Sequence, residues 1–94
     1  MNQHILIQQV KTSKVKDLDF NNIPLGTVFT DHMFICDYSN GSWGIPKIKP
    51  LEHIPTHPAA MALHYGQAIF EGMKATLDTH GKPLLFRPQK NAVR

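Results

Sequence analysis

Residues 68–77 read Ala68-Ile69-Phe70-Glu71-Gly72-Met73-Lys74-Ala75-Thr76-Leu77, and whether this run is strand or helix decides the architecture of the second half of the chain. Ile69, Glu71, Met73 and Ala75 alternate with Phe70, Gly72, Lys74 and Thr76. The next residues, Thr79-His80-Gly81-Lys82, form a hairpin-type turn, and Leu84-Leu85-Phe86 is a β-prone partner. A strand over 68–77 is therefore expected. On such a strand Phe70, Gly72 and Lys74 share one face, because successive side chains point to opposite sides. Gly72 removes a side chain from the middle of that face, which admits a ligand or another backbone. A bulge or tight packing explains a strand glycine as well.

Working outward, Ala59-Ala60-Met61-Ala62-Leu63-His64-Tyr65-Gly66 is a short helix-prone run closed by Gly66 at the C′ position. Pro50, Pro55 and Pro58 break regular structure over 50–58. Val28 to Tyr38 is rich in β-branched and aromatic residues and reads as a strand that ends at the turn Ser39-Asn40-Gly41-Ser42. Trp43 to Ile48 is the expected return strand, with Pro46 at an edge position. Ile5, Ile7 and Val10 mark a short strand, followed by a polar connector over 11–17 and a turn cluster over 21–26. Downstream, Pro88 is suited to the first position of a helix that continues to Arg94. Seven residues are too few for a stable isolated helix, so a fragment of a longer protein is the expectation.

The sequence of 94 residues, 41% hydrophobic and 18% charged, suits one small globular domain and excludes disordered or fibrous classes. No apolar run reaches bilayer-spanning length. Met1-Asn2-Gln3-His4-Ile5-Leu6-Ile7 lacks the basic start and apolar core of a secretory signal. Cys36 is the one cysteine, so no internal disulfide forms and a cytoplasmic location is expected. The net charge of +3 invites a nucleic-acid reading. Its distribution argues against one: up to Leu77 six lysines balance six acids, and the excess lies in Lys82, Arg87, Lys90 and Arg94.

Few residues point to chemistry alone. His53 and His57 stand four apart, but Pro55 lies between them and no third ligand has a familiar spacing, so ordinary hydrogen bonding outweighs a metal site. Cys36 sits beside Phe34 and Ile35 and reads as a small packed hydrophobe. Asn40-Gly41-Ser42 fits a glycosylation sequon, yet the turn reading is stronger. No phosphate-binding glycine motif and no nucleophile elbow occurs. Tyr65 and Phe70 flank the corner Gly66-Gln67-Ala68. Arg94 falls in the first turns of the last helix, where an arginine can hold a phosphate by a bidentate contact, although a terminal arginine is usually just solvated.

The string Leu63-His64-Tyr65-Gly66-Gln67-Ala68-Ile69-Phe70-Glu71-Gly72-Met73-Lys74-Ala75 resembles the N-terminal region of branched-chain amino acid aminotransferases. Phe29-Thr30-Asp31-His32-Met33, the Gly41-x-Trp43-Gly44 turn and Leu85-Phe86-Arg87-Pro88-x-x-Asn91-x-x-Arg94 match the same family in the same order. The resemblance runs from about Pro24 onward and is specific, because separate motifs agree in order and spacing. It implies an α/β (α+β) fold: the small N-terminal domain of the fold type IV pyridoxal phosphate (PLP) enzymes, a mostly antiparallel sheet with flanking helices. Residues 1–94 would be the N-terminal part of that domain, with the large domain that bears the PLP lysine absent.

The resemblance also implies roles. Arg94 falls where the family places an arginine on the cofactor phosphate. Phe70 falls where an aromatic ring lines the pocket for the branched side chain, and Gly72 would leave room for substrate. Tyr65 falls where a tyrosine reaches the neighbouring subunit's active site, which implies a homodimer. Leu25 stands where some relatives carry an aromatic residue. The family moves the amino group of leucine, isoleucine or valine to 2-oxoglutarate through PLP. Transamination needs a lysine that binds PLP covalently and shuttles a proton. In the family that lysine lies beyond position 94, and Lys74 has no such role, so these residues alone are expected to be inactive. The competing expectations are another fold type IV enzyme (a D-amino acid aminotransferase or an aminodeoxychorismate lyase), a small basic binding module, and an inactive piece that docks onto intact subunits through the Tyr65 corner.

Overall fold

The computed structural model describes residues 4–94, so the reading of Met1-Asn2-Gln3 lies outside the described residues. The chain divides into two units, Met1–Pro55 and Thr56–Arg94. Among the described residues, short strands paired mainly antiparallel, with two short α-helices and a single 3₁₀ turn at Val15–Asp17, make it an α+β piece.

The first unit is built on a three-stranded sheet of β1 (Leu6–Ile7), β5 (Lys47–Pro50) and β2 (His32–Ile35), in that order. β5 runs antiparallel to β2, with Met33 opposite Lys49 and Phe34 opposite Ile48, and parallel to β1. Leu6 N–H donates to Pro46 O at 3.0 Å and Gln8 N–H to Ile48 O at 2.8 Å. β3 (Tyr38–Ser39) and β4 (Ser42–Trp43) form a separate hairpin. Its two-residue loop, Asn40 (φ 51) and Gly41 (φ 81), places both residues in the left-handed region, which twists the chain as a tight hairpin requires. Tyr38 and Trp43 meet edge to face across it, with centroids 5.1 Å apart.

Two expectations need correction here. The single strand over 28–38 is instead two, β2 and β3, and its return over 43–48 is likewise divided into β4 and β5. The break falls at Gly44, whose N–H donates to Asp37 O at 2.7 Å while its own carbonyl accepts from Cys36 Sγ at 3.4 Å. Pro46 has no N–H for a ladder and lies between the two strands, buried, rather than at the edge of one. Pro50 does not break the sheet but ends β5 opposite His32, and Leu51 N–H takes up the next bond, to Asp31 O at 2.9 Å. The Asn-Gly turn and the strand near Ile7 stand as read, whereas Cys36, read as packed within a strand, follows the end of β2 and is half-buried.

The polar connector is held down by the start of β2. Ser13 Oγ donates to Asp31 Oδ2 at 2.5 Å, Lys14 N–H donates to Asp31 Oδ1 at 3.1 Å, and Val10 N–H donates to His32 Nε2 at 3.0 Å. The Ser13 hydroxyl, and after it the Lys14 amide, hold the Asp31 carboxyl below its ordinary 3.8. A lowered carboxyl contributes stability that is complete above its unfolded value and is lost as pH falls through the folded one. The Lys14 amide resonance in the full-length protein should accordingly shift in acid with a midpoint below 3.8. Asp31→Asn should abolish that titration, and a midpoint at or above the ordinary value would contradict the contact.

The second unit opens with α1 (Met61–His64). Tyr65 N–H closes the turn on Met61 O at 2.9 Å, and Gly66 (φ 62) lets the chain leave in the left-handed conformation, as its C′ position demands. β6 (Ala75–Leu77) and β7 (Pro83–Leu85) pair antiparallel, with Thr76 opposite Leu84. α2 runs from Pro88 at its first position to Val93. The strand expected over 68–77 exists only from Ala75. Its partner β7 is three residues long, so residues 68–74 have no strand opposite them and run without a ladder. The face that Phe70, Gly72 and Lys74 would have shared is therefore not formed.

The β6–β7 turn is organised by Asp78. Its Oδ1 accepts the His80 and Lys82 N–H groups, each at 2.8 Å, and Gly81 adopts φ 78. Gly81→Ala should cost about 1 kcal/mol through the left-handed penalty. Asp78→Ala should cost a similar amount through two lost acceptor contacts. Faster amide exchange confined to Thr76 and Leu84 in the full-length protein would report both.

Candidate functional site

The residues expected to carry chemistry lie in the second unit. Arg94 is the C-terminal cap residue of α2, its N–H bonded to Lys90 O at 3.2 Å. This corrects the argument that placed Arg94 at an anion-favouring helix start: Arg94 stands six residues after Pro88, beyond the first-turn N–H groups that favour an anion. The surroundings of Arg94 are set by an acid instead. Arg94 Nη1 donates to Glu71 Oε1 at 3.1 Å.

Glu71 Oε1 also accepts from Asn91 Nδ2 at 2.9 Å, and the same amide nitrogen donates to Gly72 O at 2.8 Å. Asn91 and Arg94 are three apart on α2 and so lie on one side of it. The unladdered stretch 68–74 is thus fastened to the last helix at Glu71 and Gly72. Three hydrogen bonds, two from Asn91 and one from Arg94, span 19 to 23 residues of sequence and join the segment carrying Phe70 and Gly72 to the region of the arginine expected to meet a phosphate. The Arg94–Glu71 pair is partly exposed, so its net worth to stability is about 0–1 kcal/mol. What the pair fixes is the direction of the guanidinium.

The other expected residues are open. Phe70 is 97% exposed and Tyr65 74%. Neither side chain enters a hydrogen bond or ring pair with the Glu71 cluster. A Cβ built on Gly72 meets nothing within 4 Å, so the glycine leaves free space rather than relieving a clash within its unit. Leu25, in the first unit, is fully exposed. His57 Nδ1 accepts the Ala59 N–H at 3.0 Å, the ordinary hydrogen bonding expected of it. Among the described residues no three His, Cys, Asp or Glu side chains are grouped to hold a metal. Among the described residues no helix is long and apolar enough to cross a membrane.

Sequence reasoning missed Glu71 and Asn91. The signal was present in part: Asn91 and Arg94 have the three-residue spacing that pairs side chains on a helix, and Glu71 is the lone acid in an apolar run. Their common partner is a long-range fact that spacing does not reveal.

No family model matches the chain. Curated proteins do. Over 93 residues it is 45% identical to the Bacillus subtilis (strain 168) protein named branched-chain-amino-acid aminotransferase 2, covering 98% of this chain and 25% of that protein. The relatives are branched-chain-amino-acid aminotransferases. Branched-chain-amino-acid transaminase 1 of the same organism is 42% identical over 91 residues, 95% of this chain and 26% of the relative. The mitochondrial branched-chain-amino-acid aminotransferase of Schizosaccharomyces pombe is 42% identical over 90 residues, 90% of this chain and 21% of the relative. The resemblance drawn from the motifs is borne out, and it extends through the first twenty residues, which carried little of it. The chain spans about a quarter of the length of these aminotransferases.

Proposed function

We propose that the chain is the N-terminal part of the small domain of a fold type IV, PLP-dependent branched-chain aminotransferase. The similarity of nearly all its residues to such enzymes carries this reading. The whole protein would move the amino group of L-leucine, L-isoleucine or L-valine to 2-oxoglutarate. A homodimer joined near Tyr65 and a cytoplasmic location belong to the same reading. Relatives named as cytosolic and as mitochondrial both occur.

The donor set of this chain fits one part of PLP, its phosphate. Arg94 uses Nη1 toward Glu71, and its guanidinium has five N–H donors, enough to meet two phosphate oxygens as well. When bound, PLP supplies the electron sink that lets the substrate Cα lose a proton. Arg94 would hold the cofactor in register, Phe70 would line the space for the branched side chain, and Gly72 would keep that space clear.

Expressing the full coding sequence and assaying L-leucine against D-alanine, each with 2-oxoglutarate, tests the proposal. Leucine turnover is the expected result. Turnover of D-alanine alone would move the protein to a D-amino acid aminotransferase, and a salt-dependent nucleic-acid shift with no turnover would favour a basic binding module. The 94-residue chain mixed with PLP should retain no cofactor absorbance after dialysis. A band that survives would show that a binding lysine is present in this chain.

A further inference from the structure

The strongest unassigned feature is the carboxylate that two α2 side chains share. Glu71 Oε1 accepts from both Asn91 Nδ2 and Arg94 Nη1, at 2.9 and 3.1 Å, while Asn91 also holds Gly72 O. We infer that Glu71 is a positioning residue for the cofactor phosphate: it fixes the guanidinium of Arg94 and, through Asn91, ties that arginine to the segment bearing Phe70 and Gly72. The inference rests on the proposed role of Arg94.

The physical case has three steps. An arginine side chain that is 71% exposed has many rotamers, and holding it for a ligand costs conformational freedom. A carboxylate partner bears part of that cost before the ligand arrives, because the side chain is already ordered. The carboxylate is itself held: Asn91 donates to the same oxygen, so swinging the Glu71 side chain away breaks both bonds. A bare salt bridge would gain little at this exposure. A shared acceptor with a second tie to the backbone of Gly72 gives direction instead. It also makes the substrate-side segment and the phosphate contact one unit, so that displacement of either is felt by the other.

The experiment uses the full-length protein stripped of cofactor and titrated with PLP, binding being followed by cofactor absorbance. Glu71→Ala should weaken PLP binding about tenfold, the scale on which partners of ligating residues act. Glu71→Gln keeps an acceptor oxygen for both donors and should recover most of that loss. Arg94→Ala should weaken binding at least as much, and Glu71→Ala added to it should change little further, because Glu71 acts through Arg94. The melting temperature of the cofactor-free protein, recorded for each variant, separates orientation from folding. Unchanged PLP affinity in Glu71→Ala, with a loss in Arg94→Ala, overturns the inference alone. Unchanged affinity in Arg94→Ala overturns the reading on which it rests. Additive losses in the double variant, or a fall in affinity that follows the melting temperature and is not recovered by Glu71→Gln, also overturn the positioning role.

Discussion

Heated alone, the 94-residue chain will show no sharp calorimetric transition and will bind a hydrophobic dye strongly. Among the described residues Pro46 alone is buried, and each of the five phenylalanines is at least 60% exposed. Burying one such ring fully is worth about 1.5–3 kcal/mol, while ordering each residue's backbone costs about 1–2 kcal/mol. Hairpin bonds cannot close that gap, because isolated two-stranded ribbons are marginal in water. A cooperative domain of this size would absorb roughly 60–70 kcal/mol at its midpoint. The expectation is a broad slope far below that, with amide exchange nearly unprotected. A single sigmoidal transition of the full enthalpy, with no dye binding, would show that the chain buries a core of its own. On the reading proposed above, the exposed faces are those that the rest of the enzyme covers.

Local chemistry was legible in this sequence wherever one or two residues decide the backbone. Asn40-Gly41 specifies its turn because both residues tolerate positive φ, Gly66 ends α1 for the same reason, and Pro88 opens α2 because it needs no donor there. Element length was not legible, because it depends on a partner. The alternation over 68–77 is that of a strand, yet a ladder forms only where β7 offers backbone groups, so three residues pair and the rest do not. The split of the 28–38 strand has a similar origin: Gly44 approaches Asp37 closely enough to bond it, and Pro46 cannot donate. In the candidate site, the residue types came from the family motifs. The Glu71–Asn91–Arg94 cluster did not, because α2 and the 68–74 stretch are brought together by folding and not by spacing. The helix-start argument for Arg94 failed on geometry: six residues separate it from Pro88, too far from the first N–H groups of the helix for them to bear on it.

Phe70→Ala in the full-length protein should lower kcat/KM for L-leucine by about 10- to 100-fold, with the cofactor-free melting temperature almost unmoved. The first half follows from area: losing a ring that covers a branched apolar side chain forfeits about 1.5–3 kcal/mol of burial, and each 1.36 kcal/mol is tenfold in rate. The second half follows from the proposed place of Phe70. A ring that lines an open substrate pocket is not packed in a core, and within its own unit Phe70 is 97% exposed, so its removal leaves no cavity there. Phe70→Leu, which restores much of the apolar surface, should recover most of the loss. Gly72 offers an independent reading of the same space. Its φ is outside the left-handed region and an added Cβ meets nothing within 4 Å, so Gly72→Ala carries no strain from this chain. Lost leucine turnover in Gly72→Ala would then report a group that enters from outside the chain, either substrate or cofactor. An unchanged kcat/KM in both variants would remove Phe70 and Gly72 from the substrate pocket.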